Sequence, residues 1–223
     1  MKLSKRLQAI LDMTPKGVVA DVGSDHGKLI ISLFEDGIIT KGYAIENKKG
    51  PFSRLEKEIK KHNLQDKITC MFSDGISELP SDVDVLVIAG MGGNNVVDIL
   101  KSHRAKLKNI KSIIVDAHNA IPYLRKEICQ LGFVIADEDM VYEDDIYYEI
   151  IKFNAGNTAY LDEPDLEFGP FLRKEKSCEF TKKYQSRINQ IDNLLLNSNI
   201  PNAKKHQLNA EKERIRQVLW TQN

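Results

Sequence analysis

Two textures of apolar and polar positions succeed each other along the chain, changing near residue 156. Before that point, short apolar runs alternate with amphipathic segments. The runs predict strands over 18–22, 41–46, 68–72, 83–89 and 112–115, of which VDVLVIA at 83–89 is the most apolar. The segments between and before them predict helices over 4–13, 28–35, 51–62, 95–107 and 122–130. The first of these carries Leu3, Leu7, Ile10 and Leu11 on one face. Breakers bound them: Pro15-Lys16-Gly17, Gly37 and Leu131-Gly132. Strands 133–142 and 147–153 then follow around the acidic turn Glu143-Asp144-Asp145, with no helix between them.

Alternation of strand and helix predicts a parallel, doubly wound α/β sheet. The closing strand pair adds an antiparallel strand at one edge, with the last strand antiparallel. That combination fits the class I methyltransferase variant of the Rossmann-like fold better than the dinucleotide variant. Beyond residue 156 the stretch AGNTAYLDEPDLEFGP is turn-rich and acidic and reads as a linker. Two long helices are predicted after it, over 171–196 and 203–220. Sparse apolar seams run along them, through Leu172, Phe180, Tyr184, Ile188, Ile191 and Leu195, then Leu208, Ile215 and Leu219. Two seamed helices joined by the turn 197–201 predict an antiparallel helical (coiled-coil) hairpin. The expected domains are 1–156 and 157–223.

Composition narrows the class. The chain has 223 residues, 42% of them hydrophobic and 29% charged, with no net charge. It can bury a sizeable core, and no window approaches the run of about 20 apolar residues of a membrane span. The basic N-terminus MKLSKRLQAILDM has no long apolar core, so no signal peptide is expected. Cys70, Cys129 and Cys178 are far apart and form no CxxC, which points to reduced thiols in a cytoplasmic protein. The five histidines show no metal-ligand spacing, and no metal is expected. Zero net charge hides an asymmetry: from Phe171 onward there are 11 Lys and Arg against 5 Asp and Glu. A basic tail is compatible with a nucleic-acid partner, although on charge alone a solvated helical face accounts for it better.

Candidate chemistry gathers at the strand exits. The first strand ends in Asp21-Val22-Gly23-Ser24-Asp25-His26-Gly27. A dinucleotide loop is GxGxxG, and its backbone holds a pyrophosphate at a helix N-terminus. This spacing differs. It fits the DxGxGxG pattern of S-adenosylmethionine (AdoMet) sites, with Asp25 at the middle glycine. A carboxylate there would repel a pyrophosphate, but it suits the cationic methionine part of AdoMet. Glu46, followed by Asn47, ends the second strand 25 residues after Asp21, where an acid accepts from ribose hydroxyls. Asp74-Gly75 follows the third strand, where an acid can accept from an adenine amino group or simply make a turn. Ala89-Gly90-Met91-Gly92-Gly93 follows the fourth, and lets a flat base approach backbone closely.

Taken together these residues carry a resemblance. Arg6, Leu7 and Ile10, then ADVGSDHGKL, Gly50-Pro51, SDG, VIAGMGG and the later FGP-x-L-x-K-E-K resemble the bacterial tRNA (adenine-N1)-methyltransferase family acting on position 22, the TrmK family. The resemblance spans nearly the whole chain. It departs at Gly27-Lys28-Leu29-Ile30, where the family has Ala-Tyr-Leu-Pro after its histidine. It departs again at Met71 and Ser73, and at Ala117-His118-Asn119 in place of Gln-Pro-Asn. These changes touch the acceptor side and leave the AdoMet side intact.

The resemblance implies an enzyme that transfers the AdoMet methyl group by direct SN2 displacement to N1 of a flipped-out adenine 22 in tRNA. Asp21, Gly23, Ser24, Asp25, Gly27, Glu46, Asn47, Asp74, Gly75, Ala89, Gly90, Met91 and Gly92 would hold the cofactor. Attack by a neutral ring nitrogen needs alignment more than a strong base. Asp25, His26 and Asn119 are the candidates for orienting the 6-amino group or taking its proton, and each also has a structural use: binding the cofactor, holding the loop, capping a helix. Lys2, Lys5, Arg6 and Lys28 near the mouth, with Arg173, Lys174, Lys182, Lys183 and Arg187 on the hairpin, would meet tRNA phosphates. A monomer is expected, because the hairpin can satisfy its own seam. Alternatives are a methyltransferase for another substrate, or a non-catalytic AdoMet- and RNA-binding protein.

Overall fold

A computed structural model describes residues 2–157, 160–197 and 199–221. Parts of the expected linker (158–159) and of the expected inter-helix turn (198) lie outside the described residues. The chain divides into two compact units, Met1–Tyr160 and Leu161–Asn223.

The first unit is built on seven strands: β1 (Val19–Val22), β2 (Gly42–Glu46), β3 (Ile68–Phe72), β4 (Val85–Met91), β5 (Ser112–Ala117), β6 (Phe133–Glu143) and β7 (Ile146–Ala155). Their order is β3-β2-β1-β4-β5-β7-β6. Strands β1 to β5 pair in parallel. The last strand in the chain is the antiparallel one, and it lies between β5 and β6, bonded to both. The central strands are buried along their whole length, as expected of a sheet covered on both faces. One face carries α1 (Lys5–Met13), α2 (Lys28–Glu35) and α3 (Lys49–Lys61), whose Ile10, Ile30, Leu33, Leu55 and Ile59 share a core with Val85 and Val87. The others, α4 (Gly93–Ser102) and α5 (Ile121–Gln130), pack on each other through buried residues such as Val97 and Leu124.

Two elements, β4 and α4, are displaced from the pattern-based ones for a reason in the tertiary structure. Strand β4 runs to Met91 because a bulge at Gly90 lets the glycine-rich segment stay paired with β5, Ala89 opposite Asp116 and Met91 opposite Ala117. Helix α4 begins at Gly93, two residues early, and stops at Ser102. A 3₁₀ turn, Arg104–Asn109, takes the remainder of the segment predicted as helix.

The second unit holds four helices: α6 (Glu163–Phe168), α7 (Leu172–Glu175), α8 (Cys178–Leu195) and α9 (Asn202–Trp220). The expected linker thus contains a helix, closed by a capping box between Asp162 and Asp165. The helix expected over 171–196 is two, because Lys176 turns left-handed at φ 51° and Ser177 then caps α8. Phe180, Ile188, Ile191, Leu208 and Ile215 form the buried seam of α8 and α9, joined by Phe168 and Leu172. Arg187 bridges the two long helices to Glu211 at 2.6 and 3.0 Å.

Candidate active site

The strand order reverses between β1 and β4, where open α/β sheets bind ligands beyond the carboxyl ends of the strands. A cavity of about 510 Å³ lies there, between the exits of β1, β2, β3 and β4. A second, of about 240 Å³, adjoins the loop after β1, and Gly23 lines both.

The first loop leaves β1 at Gly23, whose φ of +81° lies in the left-handed region that favours glycine. A Cβ there would stand 2.6 Å from the Met91 methyl, so the two glycine-rich exits pack close. The Gly23 and Ser24 N–H groups both donate to the Ile45 carbonyl, at 2.9 and 3.1 Å. Ser24 Oγ donates to Asp21, 2.5 Å away. Asp21 is buried, and burial pushes its carboxyl up to about 6 against the smaller opposing effect of Ser24.

Glu46 is 7% exposed at the end of β2. Its Oε1 accepts from the backbone N–H groups of Asn47 (3.0 Å) and Lys48 (2.9 Å), which fixes the carboxylate at the cavity wall and leaves Oε2 for a hydroxyl donor. Asn47 Nδ2 donates to Asp74 at 3.0 Å and ties the β2 and β3 exits together. After β4, Gly93 opens helix α4 without a side-chain cap of its own. Asn119 serves instead, its Oδ1 accepting from Gly93 N–H at 3.1 Å. A Cβ on Gly93 would come within 2.5 Å of the Asn119 carbonyl, so this approach needs glycine.

Residues 19–220 match the TrmK family, tRNA (adenine(22)-N(1))-methyltransferase. The chain belongs to the TrmK family. It is 30% identical over 201 residues to the tRNA (adenine(22)-N(1))-methyltransferase of Bacillus subtilis, covering 87% of this chain and 84% of the relative. Among solved structures, a Streptococcus pneumoniae protein in complex with S-adenosyl-L-methionine superposes with a TM-score of 0.90 at 32% identity, over 98% of this chain and all of the other. M. capricolum TrmK, in complex with S-adenosyl-homocysteine, superposes at 0.86 with 25% identity, over 98% of each chain.

The residues present fit the cofactor of a TrmK-family enzyme. The larger cavity offers a half-engaged carboxylate at the β2 exit, a second acid at the β3 exit, and glycine-lined walls. All thirteen residues expected to hold the cofactor line one cavity or the other. Glu46, Asn47, Asp74, Gly75, Gly90, Met91 and Gly92 line the larger, and Asp21, Ser24, Asp25, Gly27 and Ala89 the smaller, with Gly23 shared. Sequence reasoning missed Lys48, Ser73, Asn95, Asp98 and Ile99 in the larger cavity. The last three sit at i, i+3 and i+4 at the start of α4, a spacing that puts them on one helix face.

His26, Lys28 and Arg6 line the smaller cavity. Asp25 is exposed and pairs with Arg54 at 3.1 Å and with His26 at 3.5 Å. Asn119 lines neither cavity, and its oxygen is engaged at the start of α4. Lys2 and Lys5 are exposed and line neither. In the second unit, Arg173 donates to Asp165 at 2.7 Å, and Arg187 is held by Glu211. Lys174 stands on α7, while Lys182 and Lys183 stand on α8, with Lys183 Nζ 5.3 Å from the Tyr184 ring. Among the described residues, no cluster of three or more His, Cys, Asp or Glu could hold a metal ion, and no helix is long and apolar enough to cross a membrane.

Proposed function

We infer that this chain methylates N1 of adenine 22 in tRNA, by direct displacement onto a base turned out of its stack. The observation that carries the reading is the match of residues 19–220 to a family of that activity, with both cavities formed at the switch point of the sheet. When bound, AdoMet supplies an electrophilic methyl group. Glu46 Oε2 orients a ribose hydroxyl, Asp74 meets the adenine amino group of the cofactor, and the Gly23 and Gly90–Gly92 backbone gives the close walls a planar base requires. N1 of the target needs no general base, so the chain contributes alignment and exclusion of water. N1 lies on the Watson–Crick edge, which is why the base must leave its stack.

Asp25 and His26, which line the smaller cavity, are the groups we favour for taking the proton that the 6-amino group sheds after transfer. Asn119 acts by fixing the start of α4. Lys28 and Arg6 at the cavity, and Lys174, Lys182 and Lys183 on the helical unit, are the phosphate contacts we favour. Arg173 and Arg187 face carboxylates of their own unit, as Arg6 faces Asp116, and Lys174, Lys182 and Lys183 also have contacts within the protein. The first unit is the catalytic domain and the second the tRNA-binding one. The enzyme works as a monomer, a reading supported by the seam that α8 and α9 bury between them. It acts in the cytoplasm, a compartment that suits its three free cysteines.

The test is incubation with labelled AdoMet and unmodified tRNA transcripts, followed by nucleoside analysis and mapping. Label in 1-methyladenosine at position 22 is expected. Bound cofactor with no transfer to any tRNA would refute the activity.

A further inference from the structure

Asp116, near the end of β5, lines neither cavity. Its side chain is fully buried. One oxygen, Oδ2, accepts from Arg6 Nη1 at 2.9 Å, while the other, Oδ1, is buried with no hydrogen-bond partner among the described residues. A buried carboxylate with an orphan oxygen is costly, and exchanging such a buried ion pair as a whole for apolar residues is often neutral. Burial pushes the Asp116 carboxyl upward, against the charges of Arg6 and His118, the Arg6 hydrogen bond and the Gly90 backbone N–H, which approaches the carboxylate without completing a hydrogen bond to Oδ1. The arrangement therefore calls for a reason other than stability.

Arg6 supplies it. Four elements hold this residue. Its backbone N–H donates to Glu143 Oε2 at the β6 end, 3.3 Å away. Its guanidinium carbon lies 5.1 Å from the centre of the Tyr148 ring on β7. Nη1 reaches Asp116 on β5, and a Cβ built on Gly90 of β4 would stand 3.6 Å from the same nitrogen. Gly90 lines the larger cavity and Arg6 lines the smaller, so the guanidinium sits at the seam between them. Of its five N–H donors, only one on Nη1 has a protein partner among the described residues. A planar fork with spare donors, immobilised at the junction of two ligand cavities, is built to receive an anionic oxygen group.

We propose that Asp116 is a positioning residue: it locks the Arg6 fork at the seam between the two cavities, where Arg6 grips an anionic oxygen group of a bound substrate. This rests on the proposed function, because that reaction brings two such groups to the site: the methionine carboxylate of the methyl donor and a phosphate of the acceptor tRNA. Asp116 itself touches neither, being covered by Arg6.

Two binding measurements on the full chain separate the sources: titration calorimetry with AdoMet, and retention of unmodified tRNA at fixed salt. Asp116→Asn and Arg6→Ala are each expected to weaken one of the two by about tenfold, as befits a charge-assisted contact. Loss in calorimetry alone names the carboxylate, and loss in tRNA retention alone names a phosphate. In the double variant, Asp116→Asn should add less than about twofold to the Arg6→Ala loss, because a lock has no effect once its bolt is gone. If Asp116→Asn leaves both affinities within about twofold of wild type, or if its loss adds in full to that of Arg6→Ala, the inference fails. Asp116→Leu, which removes the buried charge and the orphan oxygen together, repeats the test should the Asn variant not fold. If neither variant folds, Asp116 is a structural residue and the inference is overturned. Both readouts use unreacted ligands, so a wild-type chain that binds tRNA but does not methylate it refutes the activity and leaves this result legible.

Discussion

Replacing Glu46 by Gln tests the cofactor geometry at its most constrained atom. The wild-type carboxylate gives Oε1 to two backbone N–H groups at 2.9 and 3.0 Å, and this pins the side chain. An amide oxygen can take over both bonds, so the substituted side chain should settle in the same rotamer and the fold should survive. The other terminal atom then changes from an acceptor with a negative charge to an N–H donor. Any ribose hydroxyl that donated to Oε2 loses a bond to a charged acceptor, worth about 1.5–3 kcal/mol, or roughly 10- to 100-fold in affinity. Titration calorimetry should show that loss for AdoMet and, by the same factor, for S-adenosylhomocysteine. The ribose is remote from the sulfur, so the charge of the sulfonium should not matter. Affinities within about twofold of wild type in a folded variant would refute the placement of Oε2, and so would a loss confined to one of the two ligands.

Further outcomes follow from the same structure. Asp21 has a folded-state carboxyl raised to about 6 from an ordinary 3.8, so the native state binds the extra proton between those values and stability falls as pH rises through that window. Relative to Asp21→Asn, the wild type should lose about 3 kcal/mol between about pH 4 and pH 7 in urea unfolding, and a pH-independent difference would contradict the burial argument. Gly93→Ala forces a methyl to within 2.5 Å of the Asn119 carbonyl and should lower stability by about 1–3 kcal/mol, read as a drop in the denaturant midpoint. Arg125 is fully buried between Glu138 and Glu149, so Arg125→Ala strands two carboxylates and should cost about 3–5 kcal/mol. A thermal midpoint within a few degrees of wild type would show that water reaches that cluster.

The fold class and the ligand-binding exits were legible in the sequence because both are local. Short apolar runs marked the strands and period-3.6 patterning most helices, and the loops after β1 to β4 announce themselves by Asp, Glu and Gly at strand ends. Glu46 and Asp74 were found for that reason, and the parallel strand order then brought them onto one cavity. Local signals misled where a distant partner did the work. Helix α4 starts early because Asn119, 26 residues on, caps it in place of an adjacent Ser or Asp. The stretch read as a linker folds as α6, since Asp162 and Asp165 close a capping box whose signal is weak inside an acidic run.

The sequence by itself determined which residue types stand at each strand exit and how the basic charge is distributed, since composition and short spacing suffice for both. Only the tertiary structure decided which charges are already paired. Arg173 and Arg187 looked like phosphate ligands along the chain, yet each faces a carboxylate supplied from elsewhere in its own unit. Asp116 drew no notice in the sequence, just past the predicted end of an apolar strand, yet it lies under Arg6, 110 residues away, with one oxygen left unpaired among the described residues. Charge pairing and burial depend on distances across the fold, and no periodicity in a sequence encodes a distance between residues so far apart along the chain.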